Sequence, residues 1–218
     1  LYGSILKTEH QMKESIEYFK KSTELGNSES MRTLGQIFRI GDGIPSNKSI
    51  AIQYFKMASD KGDPVSMTKY AEMLRFGEGI PVNHKEASRY FKMAADKGDA
   101  DAMNHYAVAL RDGQGVEVDK KESLRYFQMS ADKGNVGAMN DCGFMFYTGI
   151  GTEVNYEEAI RYFKKAADGG LDTGMKNYAM MLRYGEGTPI NLEEASRYFK
   201  MAADKGNIES MIFYGNMI

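Results

Sequence analysis

The chain of 218 residues has one cysteine, Cys142, no tryptophan, 4 prolines and 3 histidines. A lone cysteine excludes an internal disulfide framework and any multi-cysteine metal site. Charge of one sign is also missing. The 28 Lys and Arg nearly cancel the 30 Asp and Glu, for a formal net charge of −2. A generic binder of nucleic acid or of an anionic membrane calls for a basic excess, so neither partner is expected. No apolar run approaches the roughly 20 residues that a membrane-spanning helix needs. The first residues show no charged segment followed by a long apolar one, so no secretory leader is expected. The rest is ordinary globular composition, 42% hydrophobic and 27% charged, with high counts of 23 Gly and 16 Met.

Those counts come from a repeat. Tyr-Phe occurs at Tyr18-Phe19, Tyr54-Phe55, Tyr90-Phe91, Tyr126-Phe127, Tyr162-Phe163 and Tyr198-Phe199, each step being 36 residues. Gly26, Gly62, Gly98, Gly134, Gly170 and Gly206 follow at one offset, and Met31, Met67, Met103, Met139, Met175 and Met211 at another. A Gly-x-Gly recurs at Gly41/Gly43, Gly77/Gly79, Gly113/Gly115, Gly149/Gly151 and Gly185/Gly187. About six copies fill residues 1–218 as a single array without insertion.

One copy, residues 63–98, predicts two helices. Asp63-Pro64 is a helix start, because proline lacks the N–H that would be unpaired there. Met67, Tyr70, Ala71 and Leu74 form an apolar stripe at helical spacing. Gly77 and Gly79 end the first helix, since glycine tolerates the left-handed conformation. Asn83 with Glu86 opens the second helix in the manner of a capping box, as do Asp119/Glu122, Asn155/Glu158 and Asn191/Glu194. Ala87, Tyr90, Phe91, Ala94 and Ala95 form its stripe, and Gly98 ends it. Two columns hold only small residues. These are Gly35, Ala71, Ala107, Gly143, Ala179 and Gly215 in the first helix, and Ser15, Ala51, Ala87, Ser123, Ala159 and Ala195 in the second. Small residues at fixed phase let helix backbones approach, which is how an α-solenoid packs each helix pair on the next.

Met67, Tyr70, Ala71, Leu74, Gly77, Gly79, Ile80, Asn83, Ala87, Tyr90, Phe91, Ala94, Ala95 and Gly98 stand where the Sel1-like repeat, a relative of the tetratricopeptide repeat, has its characteristic residues. The whole chain resembles that family. Met replaces the usual leading Ala, and Tyr-Phe replaces Trp-Tyr. The first copy is weaker, with Gln11 at a cap position and Ser22-Thr23 for Ala-Ala. The resemblance implies an all-α, right-handed superhelical α-solenoid of helix-turn-helix repeats. Leu1 and Tyr2 align with Ile37 and Phe38, and Ile218 with Leu182, so the array is expected to be cut within a first helix at both ends. Exposed ends of that kind offer end-to-end contacts; the oligomeric state is left open.

Catalytic chemistry is not expected. No Gly-x-Gly copy has the third glycine of a dinucleotide fingerprint. The segment from Asp96 to Asp101 lacks the bidentate glutamate of a calcium loop. His10, His84 and His105 share no repeat phase and make no metal site. Cys142 falls in the column of Leu34, Tyr70 and Tyr106, so it reads as a buried apolar residue. No cofactor is called for, and the family's cysteine-paired penicillin-linked members are not matched.

The resemblance implies that the first helix of each repeat lines a concave groove. Counting from the recurring methionine as position 0, positions 0, 3, 4 and 7 are core, and positions 1, 5 and 8 should face the groove. The candidate binding residues are therefore Arg39, Glu72, Arg75, Asn104, Val108, Arg111, Asn140, Phe144, Tyr147, Lys176, Met180 and Arg183. Position 5 turns apolar at Val108, Phe144 and Met180, as a binding patch does. Position 8 is Arg39, Arg75, Arg111, Tyr147 and Arg183. Arginine forks beside Asn amides suit an extended segment carrying carboxylates or phosphates. Two plainer readings compete: compensation of the helix dipole by the arginines, and a neighbouring-helix contact for Phe144. The second helices carry Glu86–Arg89, Glu122–Arg125, Glu157–Arg161 and Glu193–Arg197, a self-compensated solvated face. The expected function is a non-catalytic protein-interaction scaffold or adaptor in the cytoplasm, binding a protein or peptide that is acidic or phosphorylated. The alternative is the partner-recruiting region of a larger enzyme such as a protein kinase.

Overall fold

The computed structural model describes residues 2–217, with side chains for 11–217; Leu1, Ile218 and the side chains of Tyr2 and His10 lie outside these. The described residues form helices and loops, with no strand. The helices are α1 (Tyr2–Glu24), α2 (Ser28–Ile40), α3 (Lys48–Asp60), α4 (Pro64–Phe76), α5 (His84–Asp96), α6 (Ala100–Asp112), α7 (Lys120–Asp132), α8 (Val136–Thr148), α9 (Tyr156–Asp168), α10 (Asp172–Tyr184), α11 (Leu192–Asp204) and α12 (Ile208–Gly215). Even-numbered helices are the first helix of a repeat and odd-numbered ones the second. The chain separates into two compact units, Leu1–His105 with Gln114–Val116, and Tyr106–Gly113 with Glu117–Ile218.

The first copy departs from expectation. Helix α1 runs unbroken past Gln11, where a second-helix cap was expected. Ile5 and Lys7 stand where later copies have glycines, so nothing in the sequence stops the helix there.

Elsewhere the punctuation is as read. Asn47, Asn83, Asp119, Asn155 and Asn191 each accept a hydrogen bond from the backbone N–H three residues on. The glutamates do not complete the capping box. The cap N–H groups are already used, donating to the carbonyls of Phe38, Leu74, Leu110, Phe146 and Leu182 at 2.7–2.9 Å. Glu86 and Glu194 instead accept from Asn83 and Asn191 side chains and from the hydroxyls of Tyr70 and Tyr178.

The two glycines of each loop have different tasks. The first adopts φ of 71° at Gly77 and closes α4 by donating to the Met73 carbonyl. The second lies against the preceding repeat. A Cβ on Gly151 would collide with the Lys120 carbonyl oxygen, 2.2 Å away, at the start of α7. Sequence reasoning assigned both to helix termination, because the second contact involves backbone from another repeat.

The core has two interchangeable packings. Where position 3 is tyrosine and position 7 leucine, Tyr70, Tyr106 and Tyr178 meet Tyr90, Tyr126 and Tyr198 edge-on at 4.8–4.9 Å. Where position 3 is Leu34 or Cys142, position 7 is Phe38 or Phe146, stacked on Tyr54 or Tyr162 at 5.9 and 5.7 Å. Only these two copies have Gly35 and Gly143 at position 4 with a phenylalanine pressed on them. A Cβ there would lie 2.8 Å from the Phe55 ring and 2.6 Å from that of Phe163. The swap of aromatic and small groups keeps the volume between the helices filled.

The expected core was too narrow. Position 6 is buried too, at Ile37, Met73, Ala109, Met145 and Met181, as are the small residues just before the methionine, including Ser66, Ala102, Ala138 and Gly174. Position 0 departs twice, since Met139 is only half-buried and Met211 in α12 is exposed.

Candidate functional site: the first-helix faces of the two units

In the first unit the face is closed by its own charges. Arg39, in the last turn of α2, forks onto Glu78, with Nε to Oε2 at 3.1 Å and Nη2 to Oε1 at 3.0 Å. Its Nη1 reaches Glu72 Oε2 at 2.9 Å. Glu72 also holds Lys69 at 2.8 Å and faces His105 Nε2 at 3.6 Å. Arg75 Nη1 lies 3.5 Å from His105 Nδ1. With the guanidinium donating to Nδ1, the imidazole proton sits on Nε2, toward Glu72. Lys48 Nζ stands 3.5 Å from Glu78. Burial opposes ionisation of Glu72, but hydrogen bonds from His105, Lys69 and Arg39 outweigh it and hold the carboxyl down at about 2. The hydrogen bond from Arg39 likewise lowers Glu78.

The second unit has a pocket instead. Phe144, Tyr147, Phe163, Asn177, Met180, Met181, Tyr184 and Glu186 enclose about 390 Å³ between α8, α9 and α10. Phe144 is 43% exposed and Tyr184 54%. Tyr147 donates its hydroxyl to Glu186 Oε1 at 3.3 Å, and its ring lies 5.4 Å from that of Tyr156. Burial, then the Glu186 charge, raises the Tyr147 hydroxyl above the usual tyrosine range. Asn177 Nδ2 donates to Asn140 Oδ1 at 2.9 Å, which fixes the Asn177 amide in the pocket wall. Of the residues singled out from sequence, the pocket brings together Phe144, Tyr147 and Met180 and leaves out Val108. Sequence reasoning missed Asn177, Tyr184 and Glu186. Tyr184 and Glu186 lie beyond the columns read as facing the groove, and Asn177 lies between two of them.

Most of the other candidates are tied within the protein. Position 1 joins neighbouring repeats: Arg32 pairs with Asp63 at 2.8 Å, the buried Thr68 donates to Asp99 at 3.0 Å, and Lys176 pairs with Glu209 at 2.6 Å. Asn104 has a buried Oδ1 with no hydrogen-bond partner. Arg111 bonds Asp112 at 2.8 Å, lies 3.7 Å from Asp141 and stands over the Phe127 ring. Arg183 lies over the rings of Tyr184 and Phe213, at 5.6 and 5.5 Å. The arginine column is therefore mostly a set of internal ties. On the second helices, the pairs Glu157–Arg161 and Glu193–Arg197 do not form. Arg161 and Arg197 bridge to Glu158 and Glu194, as Arg89 and Arg125 do to Glu86 and Glu122. The reason is the ring beside each guanidinium: Tyr90, Tyr126, Tyr162 and Tyr198 hold it 4.7–5.2 Å from the centroid, in reach of the glutamate one turn back.

Comparison with known proteins accounts for this architecture. The Sel1 repeat pattern matches residues 1–27, 28–63, 64–99, 100–135, 136–171 and 173–207. The chain belongs to the Sel1 repeat family, whose members are generally protein-interaction scaffolds. Among solved structures it is similar to c5321, a protective antigen of uropathogenic Escherichia coli with an SLR fold, at 26% identity and a TM-score of 0.87 over 92% of this chain. This chain spans 43% of the length of c5321. A Sel1 repeat protein of Oxalobacter formigenes superposes with a TM-score of 0.82 at 23% identity, over 94% of this chain and 86% of that one. The immunity protein Pa5087 of Pseudomonas aeruginosa shares the fold at 18% identity and a TM-score of 0.55, over 87% of this chain and 72% of that one. No curated protein matches the chain.

Proposed function

We propose that this chain is a non-catalytic binding scaffold that holds a segment of another protein on the first-helix face of its second unit. The observation that carries the reading is the apolar pocket formed by Phe144, Met180 and Tyr184, which the repeat's own side chains leave open. Open apolar surface among well-packed repeats is what a side chain of a partner would cover. Asn177, in the pocket wall, keeps its Oδ1 free as an acceptor, and Asn140 beside it keeps its Nδ2 as a donor, for the backbone of an extended segment. An acidic partner loses support, because Arg39 and Arg111 already have carboxylates.

Binding rather than catalysis also suits the ionisable groups. The strongly perturbed Glu72 is locked among cations, and burial pushes the Cys142 thiol up, away from a reactive thiolate. An unpaired buried thiol suits the cytoplasm. No helix among the described residues is long and apolar enough to cross a membrane.

The test is selection of random displayed peptides on the 218-residue chain. Enriched peptides should lose at least tenfold in affinity when Phe144→Ala or Met180→Ala is introduced, and keep it with Phe76→Ala, an exposed ring of the first unit. Peptides that bind all three variants equally would refute the pocket as the site.

A further inference from the structure

The pocket of the second unit and the ionic cluster of the first stand at the same repeat positions, three repeats apart. Arg39 corresponds to Tyr147, Lys48 to Tyr156, Lys69 to Asn177, Glu72 to Met180 and His105 to Phe213. Each of these five side chains has a neutral replacement in the second unit. Two members have not changed: Arg75, which meets His105 rather than a glutamate, corresponds to Arg183, and Glu78 corresponds to Glu186. In the first unit Glu78 receives the Arg39 fork and Lys48. In the second unit both cations are tyrosines, and Glu186 forms no ion pair among the described residues; its hydrogen bond comes from the Tyr147 hydroxyl. The result is a carboxylate in the wall of an aromatic pocket, with its cations replaced.

We infer that this pocket takes an arginine side chain from the partner protein, with the guanidinium forking onto Glu186. The inference rests on the proposed binding role and names the chemistry of what binds. Charge complementarity selects a cation. The first unit shows which one fits a glutamate at this position, since Arg39 meets Glu78 with two parallel bonds. The aromatic walls add to the preference. Tyr147, Tyr184 and Phe144 put aromatic rings in the wall beside a planar, weakly hydrated cation, and Met180 adds an apolar side chain for its stem. The chain's own Arg183 does not fill the place, because it is turned over Phe213 and Tyr184 and is not part of the pocket wall.

The test titrates N-acetyl-arginine methylamide into the 218-residue chain carrying 13C-methyl methionine and follows the methyl signals. The citrulline, lysine and glutamate analogues are run beside it. The Met180 and Met181 signals should shift saturably with arginine, while the buried Met73 of the first unit stays fixed as the internal control. Citrulline and glutamate should bind at least tenfold more weakly, and lysine should fall between them and arginine. Glu186→Gln should cost at least tenfold. Tyr147→Arg should abolish the shift by supplying the missing cation from within, as Arg39 does for Glu78. If either variant fails the circular dichroism check for folding, the other decides. Equal shifts from citrulline, a preference for lysine or glutamate, or no effect of Glu186→Gln would overturn the arginine inference and leave the pocket as a binding site. Titration that moves no pocket methyl would overturn the arginine inference, and peptide selection would then judge the pocket.

Discussion

The first-helix faces of the two units differ in whether their side chains bond to one another. In the first unit Arg39, Lys48, Lys69 and His105 all meet Glu72 or Glu78, and Arg75 meets His105. Three repeats later the second unit keeps Arg183 and Glu186 but has tyrosines, Asn177, Met180 and Phe213 at the other matching positions, and a pocket. The framework beneath is the same. Phe55 and Phe163 are both buried, as are Met73 and Met181. A repeat of fixed length therefore sets where side chains stand, and a few positions outside the core decide whether a face closes on itself or stays available.

The comparison can be broken first at its shared base. Phe55→Ala and Phe163→Ala should each destabilise the fold by about 3–5 kcal/mol, measured by urea unfolding, since each deletes a ring packed on a glycine of the facing helix. A large inequality between them would mean that the units do not share one core packing.

The ionic side gives the next effect. Glu72→Gln should cost on the order of 2–3 kcal/mol at neutral pH, because Arg39 and Lys69 lose a charged acceptor. The sign with pH follows from the lowered carboxyl. Unfolded, Glu72 binds its proton near the ordinary 4.5; folded, near about 2. The unfolded chain binds more protons between those values, so this contribution is full above about 4.5 and fades as pH falls toward 2. Thermal melts across that window should show a steeper acid loss for the wild type than for Glu72→Gln. Parallel curves would remove the cluster's electrostatic role.

The smallest effect lies on the second helices. Arg161→Ala removes an exposed pair with Glu158 and a ring contact with Tyr162, and should cost about 0.5 kcal/mol. A cost several times larger would mean that this face is structural in a way the exposed geometry does not explain.

Most of the fold could be read from the period. The turn glycines, the Asn and Asp caps and the Tyr-Phe stripe each recur at one step, and α2–α11 follow them. Other features were not legible because they depend on two columns at once. Gly79 and Gly151 look like plain helix stops until the backbone of the preceding repeat is seen 2–3 Å from their missing Cβ atoms. The Arg39 ladder looked open because its carboxylates, Glu72 and Glu78, lie 33 and 39 residues away, Glu72 being the one acid of its column and Glu78 a loop residue outside the columns considered. Tyr147 was visible as a departure from that ladder, and its meaning needed Glu186, a loop residue outside the columns considered. The small column at Ser66, Ala102, Ala138 and Gly174 was in the sequence and could have been found by the same reading that found Ala71.

The most direct test of the account converts one face into the other. A chain carrying Tyr147→Arg, Tyr156→Lys, Asn177→Lys and Met180→Glu together recreates the first unit's charges in the second. Affinity for peptides selected on the wild type is measured on both chains, with circular dichroism to confirm the helical fold. The account predicts that the converted chain stays folded and loses the peptides by at least tenfold, because the face now bonds to itself. A folded converted chain that binds those peptides as tightly as the wild type would contradict it.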